Sequence, residues 1–169
     1  MSGPDHAAEE RQQLQETTIA IYAAITLLGV IAAASWKGLF VDELELIVII
    51  VATTLTVGVA HLWAAISAHR VVHRRPPSRE EWREEVRLFL SVLLVGGLAI
   101  GAFFAGQLVG FELPGSVVLT LLMLVAVLFV VGVVGGRREE RGWIRSLGLG
   151  LLDASIGIVI LFAKITFGA

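Results

Sequence analysis

Five long apolar segments, separated by short polar gaps, account for most of this chain. Arginine and lysine occur only outside these segments or within their first three residues, and the segments are 17–36, 44–68, 86–106, 114–136 and 143–163. An α-helix rises ~1.5 Å per residue, so about 20 apolar residues are enough to cross the ~30 Å hydrocarbon core of a bilayer. The pattern therefore predicts an all-α, polytopic membrane protein. A tail, 1–16, should precede a single five-helix transmembrane domain, 17–169.

Composition agrees with membrane insertion and excludes some chemistry. Hydrophobic residues make up 56% of the chain and the mean hydropathy is +0.84, which is too apolar for a soluble domain of 169 residues. There are no cysteines, so disulfides and thiolate metal sites are excluded. The sequence contains no nucleophile elbow, phosphate-binding glycine loop or HExxH motif, so we do not expect an enzyme.

The basic residues are distributed unevenly, and their distribution predicts the topology. Only Lys37 and Lys164 fall on one side of the membrane. The other eleven of the 13 fall on the opposite side: Arg11, Arg70, Arg74, Arg75, Arg79, Arg83, Arg87, Arg137, Arg138, Arg141 and Arg145. Because positive residues accumulate in cytoplasmic loops, we predict a plasma-membrane protein with a cytoplasmic N-terminus and an outside C-terminus. We expect the arginines to contact lipid headgroups of the bilayer, not nucleic acid, and Lys164 to be an interfacial anchor.

The gap between the second and third segments contains signals for a helix end and a helix start. Pro76-Pro77 should end the second helix. Ser78 followed by Glu81 predicts a capping box, so the third helix should begin near Arg79. The four glutamates of this region could bind a metal ion, but their spacing to neighbouring arginines favours a solvated, ion-paired helix face.

Glycines spaced four residues apart indicate where helices approach one another closely. The spaced pairs are Gly97/Gly101, Gly106/Gly110 and Gly132/Gly136. Helices in lipid gain little from burying apolar surface against each other, so close backbone packing matters. Since the third segment is rich in glycine, we expect it to be the central helix or the contact between subunits. The expected assembly is a homo-oligomer, most simply a dimer, or a complex with another membrane protein.

Ionisable residues inside or beside the apolar segments are the candidates for function, because such residues are costly to place in lipid. In the second helix, His61 and His69 lie on one face together with small and polar residues. Asp153 lies in the fifth helix ten residues beyond Trp143, and Glu16 begins the first. We expect all four ionisable residues in the cytoplasmic half of the membrane, with His61 slightly deeper than the others.

Two interpretations of these residues remain open. In the first, His61, His69, Asp153 and Glu16 line a polar path. Imidazole and carboxylate suit Zn²⁺, Fe²⁺ or Mn²⁺, with His61 and Asp153 as metal ligands, and histidine can also relay protons. The protein would then be a small transporter of divalent metal cations or protons, with its path on helices 1, 2 and 5. In the second, Asp153 pairs with His61 or His69 only to hold helices together, in a structural or accessory subunit of a membrane complex.

A family resemblance rests on the five-helix frame and two stretches of sequence. The stretches are Gly135-Gly136-Arg137…Gly142-Trp143-Ile144-Arg145-Ser146-Leu147…Gly157 and, more loosely, Ala60-His61-Leu62-Trp63-Ala64-Ala65-Ile66-Ser67. In these features the chain resembles the vacuolar iron transporter family, which implies a dimer and a metal cargo. The family's Asn-Asp-Gly element in helix one is replaced by Thr17-Thr18-Ile19, and its helix-two methionine is absent. None of the family's metal ligands therefore transfers to a residue here. The chain is also similar to small bacterial membrane proteins of this shape.

Overall fold

The computed structural model describes residues 4–38, 42–138 and 142–167, and they form five long α-helices. The helices are α1 (Pro4–Trp36), α2 (Glu43–His73), α3 (Arg79–Val109), α4 (Leu113–Arg138) and α5 (Trp143–Phe167). Each contains a stretch that is long and apolar enough to cross a membrane, which confirms the predicted all-α, five-span fold.

Some side chains within these helices are not described, namely those of residues 4–12, 73, 138, 164, 165 and 167. The roles expected of a few basic residues therefore lie outside the described residues: Arg11, Arg138, Arg141 and Lys164.

Every helix is longer than the apolar segment that predicted it. α1 already begins at Pro4, so most of the region expected to be a tail is helical. α2 continues to His73, beyond the apolar segment that ends at residue 68. The added turns are polar, and those of α2 and α3 carry several of the ionisable groups of the candidate site.

Local capping interactions set the ends of α2 and α3. Asp42 accepts a hydrogen bond from the backbone N–H of Glu45 at 2.8 Å and starts α2. Arg74, with a left-handed φ of 52°, ends α2 just before Pro76-Pro77. The predicted capping box is confirmed: Ser78 Oγ accepts from the N–H of Glu81 at 3.3 Å, and the N–H of Ser78 donates to Glu81 Oε2 at 2.6 Å.

α1 occupies the centre of the bundle. It packs against each of the other four helices, whereas α3 packs mainly against α1, α2 and α4. The core side of α1 presents Ala24, Leu27, Leu28 and Ile31, all fully buried. Small alanine side chains let several helices approach the same backbone, a property that we had expected of the glycines of the third helix. The structure thus gives the central position to α1 and leaves one face of α3 exposed.

Successive helices run antiparallel, so the α2–α3 and α4–α5 loops lie at the same end of the bundle. Near the α4–α5 loop, Gly136 contacts Ser146, and in the α2–α3 hairpin Gly58 contacts Phe89. Glu16 Oε1 of α1 lies 3.9 Å from Arg87 Nη1 of α3. The apolar part of α1, which follows Glu16, therefore also begins at this end of the bundle. We call it the arginine-rich end. That it faces the cytoplasm remains a prediction from the charge distribution.

The glycines predicted to mediate packing divide into two groups. Gly106 lies against Ser116, Gly132 against Asp153 and Gly136 against Ser146, so each has a helix-packing role within the chain. Gly97 and Gly101 differ, because a Cβ added at either position would meet nothing within 4 Å. These two glycines lie on the exposed face of α3, where only another molecule could pack against them.

We expect Gly136→Ala to destabilise the protein, because the added Cβ would lie 2.8 Å from Cα of Ser146. Overpacking of this kind costs about 1–3 kcal/mol. Gly135→Ala is the matched control: its Cβ would meet nothing within 4 Å, and replacing a helical glycine gains about 0.5–1 kcal/mol. Thermal unfolding in detergent measures both changes, and equal behaviour of the two variants would contradict this account of α4–α5 packing.

The topology can be tested by cysteine labelling, since the chain has no cysteine of its own. We expect Glu112→Cys, in the α3–α4 turn, to react with an impermeant thiol reagent added to intact cells. Arg79→Cys, at the arginine-rich end, should react only after the cells are permeabilised. The reverse labelling pattern would overturn the predicted orientation, and labelling of both positions from outside would contradict the membrane passage of α3.

Candidate functional site

A cavity of about 700 Å³ lies at the arginine-rich end between α1, α2 and α3. α1 contributes residues between Leu14 and Tyr22, and α2 contributes the face that includes both predicted histidines. α3 contributes its first turns, down to Leu88. We call this space the His–Glu cavity, after four of the residues that line it: His61, His69, Glu81 and Glu85.

Two histidine–glutamate pairs connect α2 to α3 along this cavity. Nε2 of His61 lies 3.7 Å from Oε2 of Glu85, and Nε2 of His69 lies 3.5 Å from Oε2 of Glu81. About two helical turns separate the histidines and about one turn separates the glutamates, so each pair of like residues shares a helix face. Because α2 and α3 are antiparallel, the histidine farther from the loop meets the glutamate farther from the loop.

Glu81 is held by several groups of the α2–α3 loop. Its Oε1 accepts a hydrogen bond from Arg75 Nη2 at 2.8 Å, and its Oε2 accepts from Arg75 Nη1 at 2.9 Å and from the N–H of Ser78 at 2.6 Å. The hydrogen bond to Glu81 raises the pKa of the Arg75 guanidinium above its ordinary value. Glu81 therefore fixes the loop, and its charge is already balanced within the chain.

Glu85 is partly buried and weakly satisfied. Its Oε2 is buried with no hydrogen-bond donor among the described residues, and the 3.7 Å to His61 is longer than a hydrogen bond. Glu84 lines the same cavity and adds a second negative charge. A carboxylate buried in this way calls for a proton, a cation or water. Glu85 is thus the carboxylate of the cavity that is best suited to bind something from outside the chain.

A second cavity, of about 670 Å³, continues from the first along the α1–α2 interface. The two cavities share Tyr22 and His61, so these side chains lie at their junction. Three threonine hydroxyls line the second cavity beside the phenol of Tyr22, those of Thr26, Thr53 and Thr56. Hydroxyl groups can donate and accept hydrogen bonds, so the second cavity extends the polar surface beyond the two histidines.

A third cavity, of about 500 Å³, lies farther along α1. It shares Thr26 and Val30 with the second cavity, and Ile160 of α5 contributes to its wall. From Leu14 in the first cavity to Ala34 in the third, α1 rises through about 20 residues, or ~30 Å. The three cavities together therefore follow α1 across a distance equal to the hydrocarbon thickness of a bilayer.

Asp153 lies away from the predicted partners. The expected pairing of Asp153 with His61 or His69 is not formed, because each histidine contacts a glutamate of α3 instead. α5 packs chiefly on α4 and α1, and Oδ2 of Asp153 lies 2.6 Å from where Gly132 of α4 would carry a Cβ. The physical reason is the position of α1, which packs against both α2 and α5 and occupies the centre of the bundle.

Glu16, the fourth predicted residue, contacts the other side of α3. Its Oε1 lies 3.9 Å from Nη1 of Arg87, and the preceding Gln15 lines the His–Glu cavity. The structure thus brings His61 and His69 to one cavity, places Glu16 close to its border and leaves Asp153 elsewhere.

The metal site expected from His61 and Asp153 has no counterpart in this arrangement. Within the part of the chain that the structure describes, no three His, Asp or Glu side chains converge as metal ligands. Zn²⁺ is almost always bound by at least three protein ligands, and Fe²⁺ and Mn²⁺ sites also draw on several side chains.

Sequence reasoning missed Glu81 and Glu85 as site residues, because it assigned the glutamates to a solvated face. A signal was present in the spacing. In an antiparallel hairpin with its loop near Pro76-Pro77, both arms carry ionisable residues close to the loop: His61 and His69 on α2, and Glu81 and Glu85 on α3. This placement predicts that histidines and glutamates face one another once α2 and α3 are known to pack side by side, but it does not specify the pairs.

No family model, curated protein or solved structure matches this chain. The fold itself defines the class: a multi-pass helical membrane protein with five helices that can span the bilayer. The resemblance to the vacuolar iron transporter family stays a prediction.

Proposed function

We propose that the protein is a small membrane transporter that moves protons along α1 and α2, starting from the His–Glu cavity. The observation that carries this proposal is the pair of partly exposed side chains His61 and Glu85, 3.7 Å apart in the His–Glu cavity, with His61 also lining the second cavity along α1. Ionisable groups within membrane spans are costly and typically mark ion or proton pathways. Histidine changes charge near neutral pH, so the pair can accept and release a proton under physiological conditions.

Protons suit the path better than divalent metals, which were the other expected cargo. The polar groups that line the second cavity are an imidazole, a phenol and three threonine hydroxyls, each of which can donate or accept a hydrogen bond. A metal ion would need several ligands at one point, and the described residues do not supply them. The predicted path is accordingly revised: it follows α1, α2 and the first turns of α3, and α5 enters only through Ile160.

The alternative is an accessory subunit in which the polar residues only hold helices together. Glu81 favours this view for part of the site, since Arg75 and Ser78 already satisfy its carboxylate. Glu85 does not fit it as well, because its buried Oε2 makes no hydrogen bond to a described residue. The two functions therefore make different predictions for Glu85.

Proton flux should depend on Glu85 and His61 but not on Asp153. We expect purified protein in liposomes to discharge a pH gradient, reported by a pH-sensitive dye inside the vesicles. Glu85→Gln and His61→Ala should each reduce the rate roughly tenfold or more, because each removes a proton-binding group from the His–Glu cavity. Asp153→Asn is the matched control: it neutralises a carboxylate in the membrane that does not line the cavities.

A wild-type rate no higher than that of empty liposomes would refute transport and favour the accessory role. Loss of flux in Asp153→Asn with normal flux in Glu85→Gln would move the path to α4 and α5. Each variant is first checked for correct folding by its elution as a single species in detergent.

We further propose that the protein assembles as a homodimer through the exposed face of α3. Gly97 and Gly101 lie one turn apart on that face, and neither contacts another helix of its own chain. Glycines at this spacing let two helices approach closely in lipid.

Replacing Gly97 and Gly101 together by leucine should weaken self-association, because the larger side chains would separate the helices. Cross-linking in membranes and mass measurement in detergent report the change. The matched control is Gly135→Leu with Gly148→Leu, since these glycines are equally open but lie on α4 and α5. If both double variants associate as strongly as the wild type, the α3 face is not the dimer interface.

A further inference from the structure

We propose that the His–Glu cavity binds an amphipathic organic cation, which competes with protons for Glu85. This inference rests on the proposed function, because it names a substrate that proton movement would drive. The cavity volume of about 700 Å³ is far larger than a proton or metal ion needs, and it falls within the ~300–1,000 Å³ typical of small-molecule sites.

The charge of the cavity selects a cation. Three glutamates line it, whereas no lysine or arginine does among the described residues. Arg75 balances Glu81 from the loop, whereas no arginine side chain that the structure describes is bonded to Glu84 or Glu85. The buried Oε2 of Glu85 is then the strongest acceptor available to a positively charged ligand.

The walls of the cavity select an organic ion. Apolar side chains from all three helices line it, including Ile19 of α1, Ile66 of α2 and Leu88 of α3. Tyr22 adds an aromatic ring, and a cation placed over such a ring gains ~0.5–2 kcal/mol. A small hydrated metal ion would not use these surfaces, whereas a cation with apolar substituents would contact both the walls and the carboxylate.

Competition with protons follows from the use of one carboxylate for both ligands. A protonated Glu85 offers no charge to an organic cation, and a bound cation disfavours protonation. Protonation of the nearby imidazoles would repel the cation and act in the same direction. The titratable groups that line the cavity with Glu85 are His61 and His69 of α2, Glu81 and Glu84 of α3, and Tyr22 of α1.

The test measures binding of tetraphenylphosphonium to the full-length protein in detergent by equilibrium dialysis. We expect saturable binding that weakens roughly tenfold in Glu85→Gln and weakens on acidification from about pH 8 to about pH 6. Asp153→Asn should bind as the wild type does, because Asp153 does not line the cavity. Tetraphenylborate, an anion of the same shape, is the control ligand. It should partition into the micelle as the phosphonium does, but it should show no saturable binding to the protein.

Several outcomes would overturn the inference: binding no greater than that of empty micelles, equal affinity in Glu85→Gln, or equal saturable binding of the borate. The proton-flux assay on the same preparation separates this inference from the proposed function. Proton flux without phosphonium binding would support the proposed proton path and refute the proposal that the cavity binds an organic cation. Binding without flux would retain the cation site and refute transport.

Discussion

One carboxylate, that of Glu81, fixes the geometry on which the candidate site depends. It caps the first turn of α3 through Ser78, pairs with Arg75 in the loop and lies 3.5 Å from His69 of α2. These contacts set the register of the α2–α3 hairpin. In this register, His61 lies 3.7 Å from Glu85 at a greater depth from the loop. Glu81 and Glu85 therefore differ in kind: the first is part of the scaffold, and the second is the group that the scaffold presents to the cavity.

Features that depend on neighbouring residues were predictable from the sequence. The five spans follow from segment length, and the capping box follows from Ser78 and Glu81 at the correct spacing. The histidines of α2 were also correctly placed on a common face, since both line one cavity. Each of these properties is set within a few turns of one helix, where periodicity and local hydrogen bonding decide the outcome.

The lateral order of the helices was not predictable, and Asp153 shows why. Its depth in α5 was consistent with a contact to α2, but depth does not specify the neighbouring helix. The small residues Ala23 and Ala24 allow α1 to take the centre, where it packs against α2 on one side and α5 on another. Lipid is as apolar as most side chains, so the hydrophobic pattern alone cannot rank one neighbour above another.

The contact between Asp153 and Gly132 has a consequence for how the chain enters the bilayer. A carboxylate makes α5 harder to insert alone, whereas α4 is the most apolar of the five helices. Only a few residues join them, and Gly132 leaves room for the carboxylate beside the α4 backbone. α5 therefore crosses the membrane at the lowest free-energy cost as the second arm of a preformed α4–α5 hairpin. A side chain at position 132 would oppose formation of that hairpin, because its Cβ would lie 2.6 Å from Oδ2 of Asp153 and 2.8 Å from Cα of Gly150.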